Sequence, residues 1–142
     1  MFTGSKNQIA NVNNIHQGDA KRVLCVCSAG LLRSPTTANI LHKHYGYNTR
    51  SAGVSDFSLI PVTDALILWA DEIVVMEKLH KYLLLDVINT MFETPEYYEL
   101  NKNDYDTIVS KIHVLNVPDN FKYMDDKLQE IILEKYETIK NA

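Results

Sequence analysis

The sequence predicts an α/β fold in which a parallel β-sheet is covered by helices on both faces. Short apolar segments rich in β-branched residues alternate along the chain with segments of helical periodicity. The apolar segments are continuous rather than alternating, which is typical of strands buried on both faces. The 142 residues, 46% apolar and 23% charged, are sufficient for one domain with a sizeable core. We therefore expect three layers, with the strands joined by right-handed crossovers.

Four segments have the composition of strands in such a sheet. The first and third are the clearest, because they consist mainly of valine, isoleucine, leucine and other apolar residues. The second is weaker, since it is mostly polar and is followed by a glycine. The predicted strands cover residues 23–26, 48–52, 72–76 and 112–117.

Helices are predicted after each of these strands. The first begins at Ser34, read as the N-cap, followed by Pro35 at the first helical position, and it ends at Gly46. Residues 92–110 are too many for a structureless loop in a compact domain, so we expect a short helix that starts at Thr94-Pro95. The remaining predicted helices cover residues 63–70, 78–89 and 124–139, of which the last is long and amphipathic.

Residues 1–20 are polar and rich in asparagine, and we interpret them as an extension that precedes a domain over residues 21–142. They lack the apolar core of a signal peptide, and no apolar stretch approaches the ~20 residues of a transmembrane helix. The formal net charge is −4, which argues against a nucleic-acid-binding surface. We therefore expect a cytoplasmic protein with neither nucleic acid nor a membrane as a partner.

The strongest functional signal lies in residues 27–35, directly after the first predicted strand. Cys27 is followed by a loop of small and apolar residues, and Arg33 stands six positions further on at the start of a helix. Helix-end N–H groups and a nearby cation favour the thiolate form of a cysteine. The same N–H groups and the arginine fork bind a tetrahedral dianion. The pattern predicts a cysteine-dependent phosphatase, whereas Cys25, inside the strand, is interpreted as a buried structural residue.

Each step of that reaction has a candidate residue. Cys27 would attack phosphorus to form a cysteinyl phosphate, and Ser34 would donate a hydrogen bond toward its sulfur. Asp119 follows the fourth predicted strand, and the carboxyl ends of parallel strands share one edge of the sheet, so it is the candidate general acid. The predicted phosphate-binding residues are Ser28, Ala29, Gly30, Leu31, Leu32 and Arg33.

Three motifs occur in an order that resembles the low-molecular-weight protein tyrosine phosphatases, and specifically their compact, predicted microbial and phage members. The motifs are residues 27–35, the Arg-Ser-Ala-Gly string at 50–53 and Val-Pro-Asp at 117–119, and the resemblance extends over about residues 21–135. It implies a flavodoxin-like, four-stranded parallel sheet of order 2-1-3-4, and phosphomonoester hydrolysis without a cofactor. The substrate would be a phosphotyrosine protein or a small aryl phosphomonoester, and anions such as phosphate, sulfate or vanadate would bind in the loop.

By the same resemblance Cys27 is the nucleophile, Arg33 the phosphate binder, Ser34 the thiolate partner and Asp119 the general acid. The chain departs from the family at Gly30, where an asparagine usually braces the loop. Many relatives also have a second cysteine at the position of Leu32. The candidates for the aromatic walls that select a substrate are Phe57, Phe121 and Tyr123, so the sequence defines the substrate class less well than the reaction.

Other functions remain open at this stage. A thioredoxin-linked arsenate reductase is disfavoured, because it needs further cysteines and none follows Cys27. A phosphocysteine carrier domain would suit the Cys-Ser-Ala-Gly string but has no obvious need for Arg33 or Asp119. A non-catalytic phosphotyrosine-binding module would be consistent with Gly30 and with Asn120, which follows Asp119 where the family usually has a proline. No metal site is expected, since the five histidines have no metal-ligand spacing.

Overall fold

The central sheet is parallel and has four strands. A computed structural model of the chain describes residues 20–28, 32–55 and 58–141. The strands pair in the order β2-β1-β3-β4. The α/β class is therefore confirmed, as is the strand order implied by the resemblance. The strands are β1 (Arg22–Cys27), β2 (Asn48–Gly53), β3 (Glu72–Val75) and β4 (Ile112–Val114).

Helices cover both faces of the sheet and complete three layers. The helices are α1 (Arg33–Tyr45), α2 (Asp64–Trp69), α3 (Lys78–Phe92), α4 (Lys102–Ser110) and α5 (Asp126–Lys140), with a 3-10 turn at Pro95–Tyr97. Apolar residues of α1 and α5 pack with one set of strand residues in a first core cluster. Residues of α2, α3 and α4 pack with the alternate strand residues in a second cluster. Across the described ranges, no helix is long and apolar enough to cross a membrane.

Strand β1 lies between β2 and β3 and is buried on both faces. Val23, Cys25 and Cys27 face the first cluster, whereas Leu24 and Val26 face the second. This double burial explains the continuous apolar run of β1. Because β1 is central, its carboxyl end, where Cys27 lies, is flanked by the ends of β2 and β3, where open parallel sheets bind ligands.

The start of α1 differs from the sequence prediction. Ser34 is not the N-cap: Leu32 occupies that position, and Ser34 is the second residue of the helix. The Leu32 carbonyl accepts hydrogen bonds from the backbone N–H and hydroxyl of Thr36. The Ser34 side chain is turned toward the end of β1 instead of capping the helix. At the other end, the predicted stop is confirmed, because Gly46 is left-handed with φ 72° and its N–H bonds to the His42 carbonyl at 2.8 Å.

The segment after α3 contains more structure than predicted. The short helix expected at Thr94-Pro95 is confirmed as the 3-10 turn. The following helix α4 was missed, although Asn101 and Asp104 cap it reciprocally through side chain and backbone. Because of helix α4, residues 92–110 do not form a long structureless loop.

The last strand ends earlier, and the last helix begins later, than predicted. Strand β4 ends at Val114, but the N–H groups of Leu115 and Val117 still bond to the carbonyls of Val75 and Met76. Helix α5 begins at Asp126, two residues later than expected, because Met124 has a left-handed backbone. The predicted N-terminal extension lies, apart from its last residue, outside the described residues, so the division at residue 20 stays a prediction.

Candidate active site

The end of β1 and the start of α1 bring a sulfur and a hydroxyl together. Cys27 is the last residue of β1, and Ser34 is in the first turn of α1; both are buried. The Cys27 Sγ and Ser34 Oγ atoms are 3.1 Å apart. The Ser34 hydroxyl also lies 3.5 Å from the Ala52 carbonyl oxygen. A thiolate at Cys27 accepts but cannot donate, so it would take the shorter of these two bonds.

The second cysteine is in a different environment. Cys25 lies in the interior of β1 and is fully buried. Burial raises the pKa of the Cys25 thiol well above its ordinary value, and the negative charges of Glu72 and Cys27 act in the same direction. A thiol held in its neutral form is a poor nucleophile. These properties support a structural interpretation of Cys25.

Arg33, which follows β1, binds residues that follow β3 and β4. Its side chain is almost fully buried, and its Nη1 donates to Glu77 Oε2 at 2.6 Å and to the Val117 carbonyl at 2.8 Å. Glu77 follows β3, and Val117 follows β4. Asp119, on the same segment as Val117, places Oδ1 3.6 Å from Arg33 Nε, and its side chain is 64% exposed. The fold therefore brings Arg33 and Asp119 together at the edge where β1 ends in Cys27.

Ser28 begins the predicted phosphate-binding loop and is held from two sides. Its carbonyl accepts hydrogen bonds from the Ser55 N–H at 2.9 Å and from the Ser58 hydroxyl at 3.1 Å. Its own hydroxyl lies 3.0 Å from Nε2 of His80. At the far end of the loop, Leu32 is partly exposed. The predicted phosphate-binding residues Ala29, Gly30 and Leu31 lie outside the described residues, as does the substrate-wall candidate Phe57.

Two residues at the start of α3 contact Arg33 and Ser28 but were not identified as site candidates from the sequence. Glu77 is the N-cap of α3, and its backbone N–H donates to Nδ1 of His80, three residues later, at 3.0 Å. His80 is fully buried. Burial lowers the pKa of His80, and the charge of Arg33 lowers it further, while Glu77 and Asp119 oppose them. The sequence signal that could have identified His80 is its position three residues after the N-cap Glu77, the spacing at which two residues often cap each other reciprocally.

A crevice of about 380 Å³ adjoins the arginine. Two of its lining residues, Glu77 and Val117, are the groups that bind Arg33. Its lining residues are Glu77, Lys78, Leu79, Asn116, Val117 and Pro118. Of the remaining aromatic candidates, Phe121 is half-buried against the first core cluster, and Tyr123 is also half-buried. Within the described residues, no group of three or more histidine, cysteine, aspartate or glutamate side chains is placed to hold a metal ion.

No protein-family model matches the sequence, and no curated protein matches it either. Solved structures, however, share its fold. Wzb of Vibrio vulnificus, in complex with benzylphosphonate, is 19% identical, with a TM-score of 0.58 over 84% of this chain and 97% of its own. The Erwinia amylovora tyrosine phosphatase AmsI is 17% identical, with a TM-score of 0.61 over 86% and 92%.

A third similar structure is the YwlE arginine phosphatase of Geobacillus stearothermophilus. It is 20% identical, with a TM-score of 0.54 over 85% of this chain and 94% of its own. At such identities the likeness concerns the fold. The chain has the fold of the low-molecular-weight protein tyrosine phosphatases, as its motifs predicted.

Proposed function

We propose that the chain is a cysteine-dependent phosphomonoester hydrolase of the protein tyrosine phosphatase type. The observation that carries the proposal is the pairing of Cys27 Sγ with Ser34 Oγ at 3.1 Å. A buried arginine, Arg33, and an exposed carboxyl group, Asp119, lie at the same edge of the sheet. Nucleophile, hydrogen-bond donor, anion binder and acid are the groups that two-step phosphoryl transfer to a thiol requires.

In the first step, the Cys27 thiolate attacks phosphorus in line and a P–S bond forms. The P–O bond to the leaving group breaks, and Asp119 in its acid form gives its proton to the departing oxygen. Arg33 holds the equatorial phosphoryl oxygens while their charge is redistributed. Its orientation is supported by the bonds from Nη1 to Glu77 and to the Val117 carbonyl.

In the second step, water attacks the cysteinyl phosphate and the P–S bond breaks. Asp119, now a carboxylate, takes a proton from the water, and inorganic phosphate leaves. The sulfur departs as a thiolate, so a donor beside it stabilises the products. The Ser34 hydroxyl is in the position for that role, because it lies within hydrogen-bond distance of the sulfur in the free protein.

The charges around Arg33 define the form of Asp119 that the first step needs. In the free protein one guanidinium contacts two carboxyl groups, those of Glu77 and Asp119. A phosphate dianion entering the site would be repelled by an ionised Asp119. Protonation of Asp119 removes that repulsion and supplies the proton needed for the first step. Substrate binding and general acid catalysis therefore require the same protonation state of this residue.

The proposed substrate is a phosphotyrosine protein or a small aryl phosphomonoester. The crevice beside Arg33 has room for a leaving group, and Leu79 and Pro118 provide apolar surface there. Binding of benzylphosphonate by the similar Wzb of Vibrio vulnificus supports an aryl group. The similar arginine phosphatase makes phosphoarginine the appropriate comparison substrate.

Hydrolysis of para-nitrophenyl phosphate at mildly acidic pH tests the proposal. Wild type should turn over, Cys27→Ser should lose turnover because an alcohol stays protonated, and the matched control Cys25→Ala should keep it. Arg33→Ala should lose both substrate binding and rate. A folded wild type that binds phosphotyrosine peptide without turnover would contradict the proposal and favour a binding module. Uptake of a single phosphoryl group per chain, without release, would favour a carrier domain.

A further inference from the structure

We propose that His80 is a positioning residue, which holds Ser28 at the start of the phosphate-binding loop through a hydrogen bond from Nε2. Ser28 directly follows the proposed nucleophile Cys27, so its placement sets the direction in which the loop leaves the strand. The inference rests on the proposed phosphatase function, because it assigns a role within that site. His80 itself makes no contact with substrate in this role.

The hydrogen bonds determine which ring nitrogen of His80 carries the proton. The backbone N–H of Glu77 points at Nδ1 at 3.0 Å, and a backbone N–H can only donate. Nδ1 is therefore an acceptor without a proton, and the neutral ring carries its proton on Nε2. That proton faces Ser28 Oγ at 3.0 Å. The serine oxygen accepts it and keeps its own hydroxyl proton for another acceptor.

Ser28 is consequently fixed by neighbours on both sides of β1. From the β2 side, the Ser55 N–H and the Ser58 hydroxyl bond to its carbonyl at 2.9 and 3.1 Å. From the β3 side, His80 bonds to its hydroxyl. The ring of His80 has no exposed surface, so it cannot swing away without unpacking the start of α3.

The same turn of α3 also holds the other end of the loop. Glu77 binds Arg33 through its carboxylate at 2.6 Å, and binds His80 through its backbone N–H. One helix start therefore contacts both the first residue of the loop and the arginine that closes it. Gly30 has no side chain with which to brace the loop from within. Support from α3 would compensate for that difference from the family motif.

Protonation of His80 would break this arrangement. A charged ring carries a proton on Nδ1 as well, which would face the Glu77 N–H instead of accepting from it. The charged groups around the ring are Arg33, which disfavours the imidazolium, and Glu77 and Asp119, which favour it. Burial adds to the effect of Arg33, so the pKa of His80 lies below that of a free histidine. The neutral, bracing form is therefore kept near neutral pH and lost in acid.

Two substitutions of His80 distinguish the hydrogen bond at its Nδ1 from the hydrogen bond at its Nε2. Asparagine places its amide oxygen where Nδ1 lies, so His80→Asn keeps the bond from Glu77 and removes the contact with Ser28. Glutamine reaches as far as Nε2, so His80→Gln can restore a donor toward Ser28. We would measure kcat, KM and inhibition by inorganic phosphate for both, for Ser28→Ala and for the double variant Ser28→Ala/His80→Asn. His44→Gln, an exposed histidine at the opposite end of α1, is the control.

His80→Asn and Ser28→Ala should each lower kcat and phosphate affinity by about 3- to 10-fold, the effect of one neutral hydrogen bond. The double variant should lose no more kcat and phosphate affinity than the more impaired of the two single variants. His80→Gln should recover most of the loss seen in His80→Asn. The acid side of the wild-type pH profile should flatten in His80→Asn but not in His44→Gln. Independent, multiplicative losses or wild-type kinetics in a folded His80→Asn would overturn the proposal. Absence of Cys27-dependent turnover in wild type would instead contradict the phosphatase assignment itself.

Discussion

The Cys27 sulfur lies 3.1 Å from the Ser34 hydroxyl oxygen, although one belongs to a strand and the other to a helix. Both residues are buried, and their main chains are fixed by the β1 ladder and by the first turn of α1. The contact is therefore established by the fold before any substrate binds. A donor that is already in place costs no reorganisation when charge develops on the sulfur.

Replacing Ser34 by alanine should slow the release of the sulfur in the second step more than the first. Loss of a hydrogen bond to a charged group is worth about 1.5–3 kcal/mol, or about 10- to 100-fold in rate. The cysteinyl phosphate should then accumulate and give a burst of para-nitrophenol in rapid-mixing experiments. Thr37→Ala removes another buried hydroxyl of α1, one that bonds to the Arg33 carbonyl at 2.8 Å, and should produce no burst. A uniform loss in both steps would argue against this role for Ser34.

Replacing Asp119 by asparagine should have opposite effects on rate and on anion binding. The proposed general acid is lost, so kcat for substrates with poor leaving groups should fall by about 10²- to 10⁴-fold. At the same time a negative charge 3.6 Å from Arg33 Nε disappears, and inorganic phosphate should inhibit more strongly. Inhibition constants at several pH values test this, with Asp126→Asn, an exposed carboxylate at the start of α5, as the control. Weaker phosphate binding in Asp119→Asn would contradict the electrostatic argument.

The fold could be predicted from the sequence because its signals are local. The continuous apolar run of β1 indicates a strand buried on both faces, and Gly46 marks the end of α1. Cys27, Arg33 and Ser34 lie within eight residues of one another, so a single motif contains them. Asp119 is distant in sequence, but its position after the last strand placed it at the edge where parallel strands end.

The hydrogen bonds that hold Arg33 and Ser28 could not be predicted from local sequence patterns. Glu77 is 44 residues from Arg33, and His80 is 52 residues from Ser28. Which side chain of a helix start meets which loop depends on how β3 is aligned with β1, and no local pattern records that alignment. The N-cap was misassigned to Ser34 for a related reason, because its side chain has a tertiary partner in Cys27 that competes with capping.

The pH dependence of stability should carry a contribution from His80. Its pKa is lowered in the native state by burial and by Arg33, whereas in the unfolded chain it is about 6.5. Between the two values the unfolded chain binds more protons, so stability rises with pH there. The contribution is complete above about pH 6.5 and is lost as pH falls toward the lower native pKa.

Urea unfolding at about pH 7.5 and pH 5.5 measures this contribution. Wild type should lose more stability between the two pH values than His80→Asn, in which the titrating group is absent. His44→Gln, with an exposed histidine removed, should retain the wild-type loss. Equal losses in wild type and His80→Asn would show that other groups account for the acid destabilisation.

A buried pair at the opposite end of the sheet should affect stability without affecting catalysis. The Tyr136 hydroxyl donates to Glu72 Oε1 at 2.7 Å, and Lys21 binds the other carboxylate oxygen at 3.0 Å. Glu72 is the first residue of β3, whereas the proposed site lies beyond the carboxyl ends of the strands. Tyr136→Phe leaves a buried carboxylate oxygen with one donor fewer, at a cost of about 1.5–3 kcal/mol. Urea unfolding should show that loss, kcat should stay unchanged, and Tyr98→Phe, at an exposed tyrosine, should change neither. A fall in kcat in folded Tyr136→Phe would mean that the two ends of the sheet are coupled.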